Sequence, residues 1–255
     1  MLSILIPAYN ADKYIKDAIL SASRQADETD LEILVCNDAS TDNTAEIVRS
    51  LSHQIKSLRY FEQPENMGVS TARNRLLEEL SPKSKYVAFL DADDLFFYNA
   101  LQNSMELLHQ NPEMDFTFGR YQIVKSEFLD IDKPVSNEWP IISGIHLSVG
   151  LFRTELIKEI GIFNTSLTQG EDLDYLLRIG EITHSKLNHD DVVFYYRRHD
   201  NNATMNIQAM QSGLLHAILL HSLRRKKDPT LLDAKGFFRC EDRKTMEKAL
   251  ELYGH

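Results

Sequence analysis

Four short apolar runs separated by helical patterns fill the first third of the chain, and few architectures other than a layered α/β fold accommodate them. The runs fall at residues 2–8, 31–36, 58–61 and 86–90. The last, Tyr-Val-Ala-Phe-Leu, is nearly all apolar, as a strand covered on both faces must be. Between them, apolar residues recur at helical spacing: Tyr14, Ile15, Ala18, Ile19 and Ala22, then Ala45, Ile47, Val48 and Leu51, then Ala72, Leu76, Leu77 and Leu80. Asn10 is expected to cap the first helix, Ser40 or Thr41 the second, and Gly68 with Ser70 to open the third. Connections this short predict a mostly parallel sheet with right-handed crossovers.

After about residue 112 the rhythm changes. Residues 116–124 read as a strand, and 125–139 as a polar, proline-containing insertion. Helices are expected over 154–160, ended by Gly161, and over 171–179, with a strand between them and the C-terminus at 192–196. From Met205 onward the chain looks helical. The 255 residues fit one large domain, with 43% hydrophobic and 26% charged residues arguing against disorder. A net charge of -10 disfavours a nucleic-acid partner. Cys36 and Cys240 form no CxxC pair, which fits a reducing compartment and excludes a zinc knuckle. The apolar N-terminus is too short for a signal or spanning segment, so a soluble, cytoplasmic protein is expected, with any membrane contact peripheral.

Four segments stand where strands of such a sheet end, the edge at which open α/β sheets bind ligands. They are Pro7-Ala8-Tyr9-Asn10, Asn37-Asp38 through Asp42, Gly68 through Asn74, and Asp91-Ala92-Asp93-Asp94. Three carboxylates within four residues repel one another unless a cation or hydrogen-bond donors neutralise them, and oxygen ligands of this kind suit Mg²⁺ or Mn²⁺. An acidic turn that only caps the next helix is the plain alternative. Tyr9 offers a ring and Asp38 an acceptor to a base or ribose. Asp42 reads as structural, and Arg73 either pairs with the acidic turn, reaches a phosphate or sugar hydroxyl, or lies on the surface. Neither GxGxxG nor GxxxxGK[ST] occurs, which removes dinucleotide redox chemistry and P-loop hydrolysis.

The order of these segments, with Gly170-Glu171-Asp172-Leu173-Asp174 and Arg197-Arg198-His199 downstream, resembles the inverting nucleotide-sugar glycosyltransferases of family 2. The resemblance covers roughly residues 1–205 and implies a GT-A fold: a Rossmann-like, mostly parallel sheet flanked by helices. On this reading residues 1–112 bind the nucleotide, 113–205 the acceptor, and 206–255 form a helical C-terminal extension. It further implies that Pro7, Ala8, Tyr9 and Asp38 bind the nucleoside, and that Asp91, Ala92 and Arg73 lie against the donor sugar. Asp93, with Asp91 and His199, would hold Mn²⁺ or Mg²⁺, while Arg198 or His199 steadies the diphosphate and Asp94 supports the site or caps a helix. Asp172 would be the general base, beside Glu171, with Asp174 a weaker candidate. The implied reaction moves a sugar from a nucleotide donor, in the first instance a UDP-sugar, to a glycan or lipid-linked acceptor hydroxyl. A catalytically silent sugar-binding module and a sugar nucleotidyltransferase are the competing classes; the second would need a glycine-rich, basic phosphate loop that residues 7–16 do not supply.

The C-terminal stripe Leu214, Leu215, Ile218, Leu219 and Leu223, followed by Arg224-Arg225-Lys226-Lys227, leaves three readings open. The helix packs the stripe on its own domain, pairs it in a homodimer, or lays it on an anionic membrane.

Overall fold

The computed structural model describes residues 1–132, 135, 139–200, 202, 206–235 and 237. Its centre is four parallel strands: β1 (Leu2–Ala8), β2 (Leu31–Asn37), β3 (Leu58–Glu62) and β4 (Tyr86–Phe89). They lie in the order β3-β2-β1-β4, with Ile4 opposite both Ile33 and Ala88. Every residue of β1 and β2 is buried, so these runs are mainly apolar, and their polar side chains Ser3, Glu32 and Asn37 are hydrogen-bonded. Pro7 is tolerated inside β1 because the pairing with β4 spans only Leu2 to Leu5. The crossovers are α1 (Ile15–Ser23), α2 (Thr44–Ser52) and α3 (Val69–Glu78).

The second half joins the same sheet, so the 1–112 and 113–205 halves share one continuous layer. β4 is followed by the two-residue β5 (Leu95–Phe96) and by α4 (Ala100–Gln110). Then come β6 (Phe116–Lys125), β7 (Ile141–Ile142), β8 (Gly150–Arg153), α5 (Thr154–Ile160), α6 (Glu171–Ile182), β9 (Lys186–Arg198) and α7 (Ile207–Lys227). β8 pairs antiparallel with β4 and β6, and β9 runs parallel to β6. The architecture is the expected α/β one, a mostly parallel sheet flanked by helices with a helix at the C-terminal side. Among the described residues, no helix is long and apolar enough to cross a membrane.

Several local expectations need correction. Asn10 does not cap α1; it adopts a left-handed backbone (φ 48°), and its side chain accepts from Thr41 N–H at 2.8 Å, tying two loops together. The first helix therefore starts later, after a turn closed by Ala11 O. Ser40 and Thr41 do not cap α2, because Ser40 Oγ is held by Asn37 Oδ1 and Asn10 N–H. That task falls to Asp42, whose Oδ1 accepts from Thr44 N–H at 3.0 Å. β9 extends to both sides of 192–196 because its backbone pairs along the whole of β6. The stripe on α7 does not pack on its own domain. Leu215 is 67% exposed, and the residues the helix buries are the small Gly213 and Ala217. Cys36 is buried at the end of β2, its thiol pushed up to about 12 by burial and by the charge of Asp38; Cys240 lies outside the described residues.

Candidate functional site

The carboxyl ends of β1, β2 and β4 form one rim, and the expected residues divide there into two groups. In the first, the polar atoms are consumed by the fold. Asp38, at the end of β2, is buried, and its two oxygens accept from Met67 and Gly68 N–H at 2.9 and 2.8 Å. This fixes the loop entering α3, whose first turn follows Gly68 at φ 87°, a conformation that favours glycine. Pro7 and Ala8 are buried beside it, and Ala8 O accepts from Asp38 N–H at 2.8 Å. Tyr9 is 48% exposed, leaving its ring open at the rim.

The second group gathers on a buried arginine. Arg73, on α3, is 2% exposed, so the surface reading of this residue is excluded. Its Nη2 donates to Asp91 Oδ1 at 2.8 Å, and its Nη1 meets Glu171 Oε1 at 3.3 Å and Asp172 Oδ1. The guanidinium lies 5.4 Å from the Phe163 ring. One cation thus joins the turn after β4 to the first turn of α6. Burial would favour losing its proton, but Asp172, Asp91 and Glu171 outweigh that and push its pKa up. Glu171 is raised to about 7 by burial and the charge of Asp172, against the pull of Arg73. Asp172 is also raised, chiefly by burial, again opposed by Arg73. Asp174, on the next face of α6, is buried and pairs with Arg178 and Arg224 instead.

A third set closes the turn from the β9 side. Asp93 Oδ2 lies 3.0 Å from His199 Nε2 and accepts from Asn202 Nδ2 at 3.3 Å. The His199 ring stacks on Tyr14 with centroids 4.7 Å apart. Arg197 donates Nε to Asp93 O at 2.7 Å and its backbone N–H to Asp94 Oδ1 at 2.8 Å. Arg198, the next residue, ends β9 and is half-buried. Asp94 does not cap α4, which starts after Asn99. It is 1% exposed, and its Oδ2 has no partner among the described residues. Burial and the charges of Asp93 and Asp91 push its pKa well up.

That orphaned oxygen tests the fit of a cation. Asp91, Asp94 and His146 bring ligand atoms within 4.8 Å of one another, a group able to hold a metal ion. Carboxylate oxygens with one imidazole suit Mn²⁺ or Mg²⁺, so the residues present fit the group. Of the expected ligands, Asp91 belongs to this set, whereas Asp93 and His199 form the neighbouring pair. Sequence reasoning missed His146, Asn202 and Arg197 as site residues. His146 comes from a loop turn where Nδ1 accepts from Ser148 N–H at 3.2 Å, its ring packed on Phe194 at 4.7 Å. Burial lowers its pKa. Nothing local marks it. Asn202, three residues after His199, had a signal in that spacing.

Comparison with known proteins bears on the fold and the family. A fragment of S. aureus TarS in complex with UDP-GlcNAc superposes over 99% of this chain and 71% of its own, with a TM-score of 0.71 and 18% identity. The mannosyltransferase PcManGT from Pyrobaculum calidifontis, in complex with GDP-Man and Mn²⁺, covers 99% of this chain and 68% of its own at a TM-score of 0.65 and 20% identity. Both likenesses speak to the fold. An uncharacterised glycosyltransferase of Rickettsia felis is 27% identical over 93% of this chain, which spans only 41% of that relative's length. The glycosyl transferase family 2 model matches residues 3–157, through β1 to α3, the Asp91–Asp94 turn and β8, and on that match the chain belongs to glycosyl transferase family 2.

Proposed function

We propose that the protein transfers a sugar from a nucleotide-sugar donor, a UDP-sugar first among them, to an acceptor hydroxyl by a single inverting displacement. The observation that carries this reading is the Arg73 clamp, which holds Asp172 and Asp91 on one guanidinium. An inverting transfer needs a base and a donor-binding carboxylate on opposite sides of the reacting carbon, and one rigid cation between them sets their spacing.

Asp172 is our choice of base. Burial raises its proton affinity towards the working range, Arg73 keeps the carboxylate oriented, and Glu171 supplies a second negative charge beside it. The acceptor O–H bond breaks towards Asp172 as the hydroxyl oxygen bonds to the anomeric carbon, and the nucleoside diphosphate leaves with the electrons of the C–O bond. Pro7, Ala8, Tyr9 and Asp38 are proposed for the nucleoside side, where the open Tyr9 ring supports stacking on a flat base. Arg198 and His199 are assigned to the diphosphate side. Asp91 and Asp94 with His146, or Asp93 with His199, would hold Mn²⁺ or Mg²⁺. Such an ion supplies Lewis-acid stabilisation of the departing diphosphate. The acceptor belongs to the glycan or lipid-linked class, and the reducing cytoplasm is the proposed compartment.

The test is incubation with a panel of nucleotide sugars and Mn²⁺, following nucleoside diphosphate release. Release with at least one donor, together with a thermal shift by UDP, GDP or dTDP, is expected. No release from any donor and no shift would reject the reading.

A further inference from the structure

Helix α7 has two unlike faces. Its inner row is small: the backbone at Gly213 approaches the loop before α6 so closely that a Cβ on Gly213 would lie 2.5 Å from Gln169 O, and one on Gly170 2.5 Å from Gly213 O. Further along, Arg224 holds Asp174 at 2.7 Å and Glu181 at 2.8 Å, and His221 meets Glu181 at 2.6 Å. The helix is therefore fastened to α6 along its inner side. Its outer side carries Ile207, Met210, Leu214, Leu215, Ile218, Leu219 and Leu223, each between 41% and 67% exposed. These residues make an apolar-rich outer side about 24 Å long, interspersed with the exposed Gln208, Gln211, Ser212 and Ser222.

Charge says what the face meets. The chain carries 38 acidic residues and a net charge of -10, yet the sequence of α7 contains no carboxylate and ends in four cations. Arg224 and Arg225 are drawn inward by Asp174, Glu181 and Asp233, whereas Lys226 and Lys227 stand exposed at the end of the apolar face. A second copy of the helix would offer these lysines no acidic group. An anionic bilayer supplies both an apolar layer and negative headgroups.

We propose that the outer face of α7 docks on an anionic membrane surface, with Lys226 and Lys227 at the headgroups. The docking stands apart from the transfer reading. The inner face of α7 abuts the loop leading into Glu171 and Asp172, so the docked helix would set that loop near the bilayer.

Flotation of the full chain with vesicles of phosphatidylglycerol and phosphatidylcholine, against pure phosphatidylcholine, tests it. Wild type should float with the anionic vesicles and lose binding as salt rises. Leu215→Glu with Leu219→Glu should weaken binding at least tenfold, and Lys226→Glu with Lys227→Glu several-fold, with unchanged thermal melts because these side chains are exposed. No preference of folded wild type for anionic vesicles overturns the proposal. So does a dimer by light scattering that Leu215→Glu with Leu219→Glu dissolves, since the face would then belong to a second copy. Donor turnover in vesicle-free buffer is read alongside: turnover without flotation sinks only the docking, and flotation without turnover sinks only the transfer reading.

Discussion

Asp38 and Asp94 sit at the ends of strands in one sheet, both almost fully buried, and their surroundings could hardly differ more. Each oxygen of Asp38 receives a backbone N–H, and the loop from β2 to α3 is closed by it. Asp94 is held through one oxygen only, and the other faces like-charged neighbours without a donor. The same contrast separates the two loop regions. Around β1 and β2, Asn10, Ser40, Thr41 and Asp42 satisfy one another and neighbouring backbone groups. Around β4 and α6, five carboxylates converge on Arg73, Arg197 and His199, and Asp94, Glu171 and Asp172 are all raised. A polar cluster that completes its own hydrogen bonds builds a fold. One left short of positive charge is stabilised only by what binds to it.

The largest effect should come from removing a carboxylate of the undercompensated region. Asp93→Ala is expected to cut nucleoside diphosphate release by about 10²–10³-fold and to leave the fold intact, since the side chain is partly exposed. Excess EDTA should abolish release in the wild type. Full activity in EDTA would show that the carboxylates need no cation and would break the contrast drawn above. Next comes Asp172→Asn, which keeps shape and the contact with Arg73 but cannot take a proton. Transfer should fall by about 10²-fold or more, with nucleotide affinity by calorimetry nearly unchanged. Equal activity of this variant would move the base to Glu171.

The acidic turn was legible in the sequence because clustered carboxylates are costly wherever they fall, and the strand before it was unmistakably buried. The partners of that turn were not. Arg73 and Asp172 are 99 residues apart, and only the packing of α3 against α6 brings them together. His146 approaches from a loop between β7 and β8, a position set by three strands rather than by its neighbours in the chain. In α7 the helix could be read but not its orientation. Apolar spacing points to the face made of leucine and isoleucine, whereas the face that packs is made of glycine and alanine, because close backbone approach to Gly170 requires small residues there. Capping errors at Asn10, Ser40 and Thr41 share a cause. These side chains have alternative partners across loops, which local patterns do not reveal.

A smaller effect concerns stability and its sign with pH. Glu171 in the folded chain is raised from 4.5 to about 7, so between those values the folded state binds more protons than the unfolded one. Stability contributed by this group is therefore present at low pH and lost as pH rises through about 7. Glu171→Gln should remove that penalty and stabilise the protein at pH 8 by on the order of 1–2 kcal/mol, a few degrees in Tm. No gain at pH 8 would mean that the cluster is fully compensated by Arg73.

The smallest effect belongs to the satisfied region and has the opposite sign. Asp42 is half-buried, and its carboxylate accepts from Thr44 and Asp12 N–H, both at 3.0 Å. Its partial burial raises the pKa, but these hydrogen bonds outweigh that and hold it below the usual value of 3.8. A lowered carboxylate stabilises the fold above its unfolded pKa, and the contribution is lost as pH falls through the folded value. Asp42→Ala should cost about 0.5–2 kcal/mol at pH 7, as the loss of a capping side chain does. The gap between variant and wild-type melts should narrow as pH falls below 3.8, and turnover per folded molecule should stay unchanged. A drop in turnover larger than the drop in folded fraction would place Asp42 with the carboxylates of the β4 turn, and the line between the two regions would have to be redrawn to include it.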